Sequence, residues 1–218
     1  MIHVFLSYSN KNKKLAHRLK KALEQFGVVP FLAHDDIRVS MPWRKEILKQ
    51  LRTCNILIPI VTEAFTHSRW TDQEVGYAMG RKKLIVPVKT NIDPYGLMGG
   101  FQAVRLNQHS LEETCWKIMA SLKDHASLAD DAKSGAIKFF LRSPTFDDAW
   151  TNLTGLMKCG PFARLELAEI IRGSARNQNI YGCRKARPTI RILLDEARGK
   201  VPKSLIAEYR KAVQSWPW

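Results

Sequence analysis

An acid and an indole stand four residues apart in the stretch Ser68-Arg69-Trp70-Thr71-Asp72-Gln73-Glu74-Val75-Gly76-Tyr77-Ala78-Met79. The stretch reads as the first half of a helix that follows a buried strand. On a helix, Trp70 and Glu74 share one face about one turn apart. A carboxylate beside a large aromatic, at the lip of a parallel sheet, suits a flat cationic ring and the sugar attached to it. The same residues carry a structural reading. Thr71-x-x-Glu74 is a capping box, with Thr71 as N-cap and Glu74 reaching back to its amide. Trp70 and Val75 would then form a hydrophobic staple. The pattern alone leaves both readings open.

The rest of the chain supplies the scaffold. Ile2–Tyr8 is a short apolar run that suits a buried strand. After the polar break Ser9-Asn10-Lys11-Asn12, residues Leu15, Ala16, Leu19, Ala22, Leu23 and Phe26 repeat with helical period, and Gly27 supplies the stop. Val28–Leu32 is a second strand, and Pro30 argues for an edge position. Ala33–Pro42 is a polar loop, followed by an amphipathic helix marked by Trp43, Ile47, Leu48 and Leu51. Ile56–Val61 is apolar throughout, as expected of a strand covered on both faces. The Trp70 helix runs on to Gly80 and the basic Arg81-Lys82-Lys83, which suit a helix C-terminus. Leu84–Val88 and Ala103–Leu106 complete five strands, and Ser110-x-x-Glu113 caps a helix through Leu122.

Strands alternating with helices predict an α/β fold with a parallel sheet and right-handed crossovers. In such a sheet with order 2-1-3-4-5, ligands sit beyond the carboxyl ends of strands one and three, where the winding reverses. Ser9 and Asn10 leave strand one there, and the connection after strand three leads to Trp70 and Glu74. From about Ala126 the alternation stops. Ala129–Leu141, Phe146–Met157, Phe162–Arg172, Thr189–Arg198 and Lys203–Ser215 read as helices, punctuated by Gly and Pro. The expected organisation is a sheet domain over residues 1–125 and a smaller all-helical region over 126–218.

Composition narrows the function classes. The 218 residues are 45% hydrophobic and 25% charged, an ordinary globular balance. The longest apolar runs are far too short to span a bilayer. Met1-Ile2-His3 leads directly into a strand with no signal-peptide pattern, so a cytoplasmic location and no membrane partner are expected. Cys54, Cys115, Cys159 and Cys183 form no Cys-x-x-Cys pair and read as free thiols. The six histidines form no i,i+4 ligand pair, so no metal is expected, and they read as surface or structural. The net charge of +15 is spread out. Six Lys/Arg and one acid lie between Lys11 and Glu24, and twelve Lys/Arg against five acids follow Gly160. No arginine-rich block or aromatic RNA platform accompanies them, so solvated faces are the expected reading and nucleic acid is not expected as a partner. Neither a P-loop nor a Gly-x-Gly-x-x-Gly fingerprint is present.

The first half resembles a TIR domain. The matching pieces are Val4-Phe5-Leu6-Ser7-Tyr8-Ser9, Val29-Pro30-Phe31-Leu32, Asp36-Ile37-x-x-Ser40-x-x-Trp43 and Ser68-Arg69-Trp70-x-x-x-Glu74. Together they cover about residues 1–125 and are similar to bacterial stand-alone TIR proteins more than to animal receptor adaptors. The resemblance implies a flavodoxin-like fold and, in bacterial and plant members, cleavage of NAD+. It places the catalytic glutamate on Glu74 and the preceding tryptophan on Trp70. It places nucleotide contacts on Ser9 and Asn10, and a loop involved in self-assembly on Ala33–Pro42. NAD+ is then a substrate, with no separate cofactor. The setting it implies is antiphage defence, with homo-oligomers formed through TIR contacts and a partner effector protein as a further expectation.

One carboxylate suffices for this chemistry. The nicotinamide ring is cationic while bonded to ribose and leaves with the bonding pair as a neutral group, so no general acid is needed, unlike an ordinary glycoside. An ionised Glu74 stabilises an oxocarbenium-like ribose and grips its hydroxyls. Trp70 stacks on the cationic ring. Arg38 is a candidate for the diphosphate, and Trp43 is a secondary candidate for substrate contact that also anchors its helix. Ser7 and Tyr8 read as strand residues with satisfied hydroxyls. Linear, cyclic or adduct ADP-ribose forms according to which nucleophile reaches the ribose. The alternative function is a non-catalytic TIR interaction module, against which the retention of both Trp70 and Glu74 argues.

Overall fold

The structure, a computed structural model, describes residues 1–33 and 43–216. Arg38 and most of the Ala33–Pro42 loop, including Asp36, Ile37 and Ser40, lie outside the described residues. The chain divides into two compact units, Met1–Ile118 and Met119–Trp218.

In the first unit, β1 (His3–Ser7) runs into a 3-10 turn at Asn10–Asn12 and then α1 (Lys13–Gln25). β2 (Val29–Leu32) follows, then α2 (Trp43–Thr53), β3 (Ile56–Val61), the short α3 (Glu63–Thr66) and α4 (Arg69–Gly80). β4 (Leu84–Ile85), β5 (Val88–Lys89), β6 (Val104–Arg105) and α5 (Leu111–Ser121) complete the order, and the division between the units falls within α5.

All strand pairs are parallel, in the order β2-β1-β3-β5-β6 with β4 also on β3. This is the expected 2-1-3-4-5 winding with its fourth strand in two pieces. Pro87 lies between the pieces and has no N–H to give the ladder. β2 takes the edge position that Pro30 foretold. The register sets Val4 against Ile56 and Ser7 against Pro59, so the carboxyl ends of β1 and β3 lie side by side. Every residue of β3 is buried, in keeping with an apolar strand covered on both faces. Phe5, Leu57, Val61, Phe65, Val75 and Ala78 belong to one core cluster beneath α2 and α4.

The second unit contains α6 (Ala129–Leu141), α7 (Phe146–Met157), α8 (Arg164–Arg176), the short α9 (Gln178–Tyr181), α10 (Arg187–Ala197) and α11 (Lys203–Gln214). α6, α10 and α11 all pack on α8. Five of these helices match the periodicity. α9 is a single turn, too short to leave an amphipathic signal, and is held by Asn177, whose side chain accepts from the Asn179 amide at 2.9 Å. No helix of the described residues is long and apolar enough to cross a membrane. All four cysteines are free and buried.

Gly182, which ends α9, has no room for a side chain. An added Cβ would lie 2.7 Å from the Gln178 carbonyl and 3.0 Å and 3.1 Å from the Trp216 and Phe146 rings. A backbone carbonyl cannot rotate away as a side-chain tip can. We expect Gly182→Ala to lower unfolding free energy by about 1–3 kcal/mol in denaturant titration, despite alanine's better helix propensity.

Candidate active site

The connection from β3 into α4 is pinned by side-chain hydroxyls. Thr62 caps α3, its Oγ1 accepting from the Phe65 amide at 3.1 Å. The same hydroxyl donates to Asn12 Oδ1 at 2.7 Å, which ties the turn after β1 to the end of β3. Thr71 does not cap α4. The helix begins at Arg69 with Ser68 as N-cap, and Thr71 Oγ1 donates to the carbonyls of Ser68 at 2.7 Å and Phe65 at 3.1 Å. Tyr95 donates to Asp72 Oδ1 at 2.7 Å and holds the outer side of the first turn. The capping-box reading of Thr71-x-x-Glu74 therefore does not hold, because α3 leads so closely into α4 that Thr71 bonds backward to the elbow.

Glu74 is left free of that local role and turns to the sheet. Its Oε2 accepts a 2.6 Å hydrogen bond from Ser7 Oγ, at the end of β1. The carboxylate is buried, with 7% of its residue surface exposed. Burial pushes its pKa up to about 7, against a smaller lowering by the Ser7 hydroxyl. Desolvation disfavours the charged form and the single hydrogen bond recovers only part of that cost. The neutral carboxyl is thus the form the fold prefers. Its contribution to stability is fully present below about pH 4.5, the ordinary value, and is lost as pH rises through 7. A displacement of this size corresponds to about 3 kcal/mol.

In front of Glu74 lies a cleft of about 390 Å³, within the range of small-molecule sites. Ser9 and Asn10 line it from the turn after β1, and Trp70 and Glu74 from α4. The segments that topology predicts at the reversal point do meet there. Trp70 is 41% exposed at the rim. Trp43, at the start of α2, is not among the described lining residues and reaches the site through Trp70, its ring edge-on at 4.8 Å between centroids. The Arg44 guanidinium lies 5.2 Å from the Trp43 ring centre and 5.9 Å from that of Trp70.

Three lining groups were not singled out by the sequence. Lys11 and Arg69 bring positive charge to the cleft, and His67 ends α3 against it. Ser7 was read as a satisfied strand hydroxyl. It is satisfied, but by Glu74, 67 residues away, and no local pattern carries such a partner. Its one signal was position, as the last β1 residue before the turn that lines the cleft. Among the described residues, no group of three or more His, Cys, Asp or Glu is placed to hold a metal.

A doubly wound parallel sheet with a cleft at its point of reversal defines the flavodoxin-like class of α/β fold. A family model described as TIR domain matches residues 4–118, more than half of the chain. The chain belongs to the TIR domain family. Among solved structures, it is similar to the TIR domains of the activated Roq1 resistosome directly recognizing the pathogen effector XopQ. That likeness is 19% identical, covers 64% of this chain and 84% of that one, and has a TM-score of 0.39. No curated protein matches the chain.

Proposed function

We propose that this TIR domain cleaves the bond between nicotinamide and ribose in NAD+, with Glu74 as the catalytic carboxylate. The observation that carries the reading is the disposition of Glu74. It is buried, bonded to Ser7, absent from any helix cap and open to a cleft.

A cationic nicotinamide ring entering beside Glu74 favours its ionised form, since an opposite charge lowers a carboxyl pKa. Substrate binding thereby sets the charge that an oxocarbenium-like ribose needs, in a site with little water to screen it. Trp70 offers an aromatic face at the rim for the ring. Ser9 and Asn10 offer polar contacts to the ribose, and Lys11 and Arg69 offer countercharge to the diphosphate. Self-assembly through TIR faces, and an effector protein that responds to the product, are the partners that fit this activity.

Purified protein incubated at high concentration with NAD+ is expected to release nicotinamide, with the second product identified by chromatography and mass spectrometry. Intact NAD+ throughout, in assembled as in dilute protein, would overturn the proposal and leave an interaction module.

The active form is the ionised one, so kcat/KM is expected to rise with pH through about 7 and level off above it. Ser7→Ala removes the hydrogen bond that lowers the Glu74 pKa, so its acid limb should move to higher pH. A pH–rate profile of the two proteins checks the direction. An unmoved limb would separate Ser7 from the titrating group.

A further inference from the structure

The helical unit contains a second concavity, of about 370 Å³, in a groove between α10 and α11. Four arginines line it. Arg187, Arg191 and Arg198 come from α10 and its C-cap, and Arg210 comes from α11. Arg187, Arg191, Leu194 and Arg198 follow one another at spacings of four, three and four, which places them in one stripe on the helix. The lining has a single acid, Asp195, which pairs with Arg198 at 3.0 Å. Three guanidinium charges therefore exceed the acid in one site.

The floor adds no compensating charge. Leu194 and Tyr209 are buried there. Burial pushes the Tyr209 phenol up to about 12, with Arg187 and Arg191 acting the other way, so it stays protonated at neutral pH. Arg187 is also the first residue of α10, whose first turn holds no acid. A cation at that end opposes the helix dipole, and an anion held among the arginines would offset the cost.

We infer that the groove between α10 and α11 binds the di- or triphosphate group of a small molecule, with Arg187, Arg191 and Arg210 as its principal contacts. Guanidinium forks match phosphate oxygens two at a time, which a solvated lysine face does not do. A nucleic-acid strand fits less well. Its binding needs a basic track with exposed aromatic platforms for the bases, whereas these four arginines line one concavity whose tyrosine is buried. The site is separate from the NAD+ reading, which rests on the sheet unit.

The test is calorimetric titration of the full chain at low salt with ATP, with tripolyphosphate and with a single-stranded oligonucleotide. ATP and tripolyphosphate should both bind, with affinity falling as salt rises. Arg191 and Arg210 are exposed, so Arg191→Ala/Arg210→Ala should keep its circular dichroism and thermal midpoint. It should bind both probes on the order of 100-fold more weakly. Arg191→Lys keeps the charge without the fork and should also weaken binding. Lys11→Ala/Arg69→Ala, in the sheet cleft, should keep the groove's tripolyphosphate affinity at the parental value. Failure of both probes to bind, parental binding by the double arginine variant, or loss in the cleft variant instead would each overturn the inference. Binding of the oligonucleotide alone would assign the groove to nucleic acid and overturn it equally.

Discussion

Glu74→Gln is expected to fold like the parent chain and to cleave NAD+ more slowly by on the order of 100- to 1,000-fold. Glutamine is nearly isosteric with the acid and still accepts the Ser7 hydrogen bond that holds residue 74 against β1. What it lacks is the negative charge that the proposed reaction sets against the ribose. The same substitution should flatten the fall in stability between about pH 4.5 and 7, because the group responsible no longer titrates. Nicotinamide release and thermal midpoints measured across that range read the two effects separately. A Gln variant with parental turnover would remove Glu74 from the chemistry. One that fails to fold would mark it as a structural acid.

The second large effect lies beneath the site. Phe65 has no exposed surface, its amide is capped by Thr62, and its carbonyl receives the Thr71 hydroxyl. Its ring lies 6.4 Å from that of Tyr95, which in turn holds Asp72. Phe65→Ala therefore removes the packing under the elbow that aims α4. The expected loss is about 3–5 kcal/mol of stability, measured by denaturant titration, together with NAD+ cleavage. The pairing of losses separates this variant from Glu74→Gln, in which activity falls and stability does not. A Phe65→Ala protein with parental stability would show that the elbow is held by its hydroxyl bonds alone.

Much of this arrangement was legible before the structure, and the limits are physical. The strand order followed from the alternation of elements, and the edge position of β2 from Pro30. The C-termini of α6 and α7 agree with the periodicity because Ser143-Pro144 and Gly160-Pro161 follow them. The approach of Ser9 and Asn10 to Trp70 and Glu74 followed from topology alone. The capping-box reading starts α4 three residues late, at Asp72 instead of Arg69, since Thr71-x-x-Glu74 fits a cap as well as it fits an elbow. Which one forms depends on the carbonyls of Phe65 and Ser68, and only the fold brings those to Thr71. The Ser7–Glu74 bond was hidden for the same reason. The gathering of Arg187, Arg191, Arg198 and Arg210 around one concavity is not legible in the sequence, because α10 and α11, taken singly, show only scattered charge.

The margins of the sheet bear on how copies of this chain can associate. At one margin β2 contributes four residues, of which Pro30 lacks an N–H. At the other, β6 contributes two. Among the described residues, neither offers a long row of backbone donors and acceptors for a further strand to zip onto. Any association of copies along these strands has little backbone to pair with, so surface shape and the charge of helices and turns would govern its geometry.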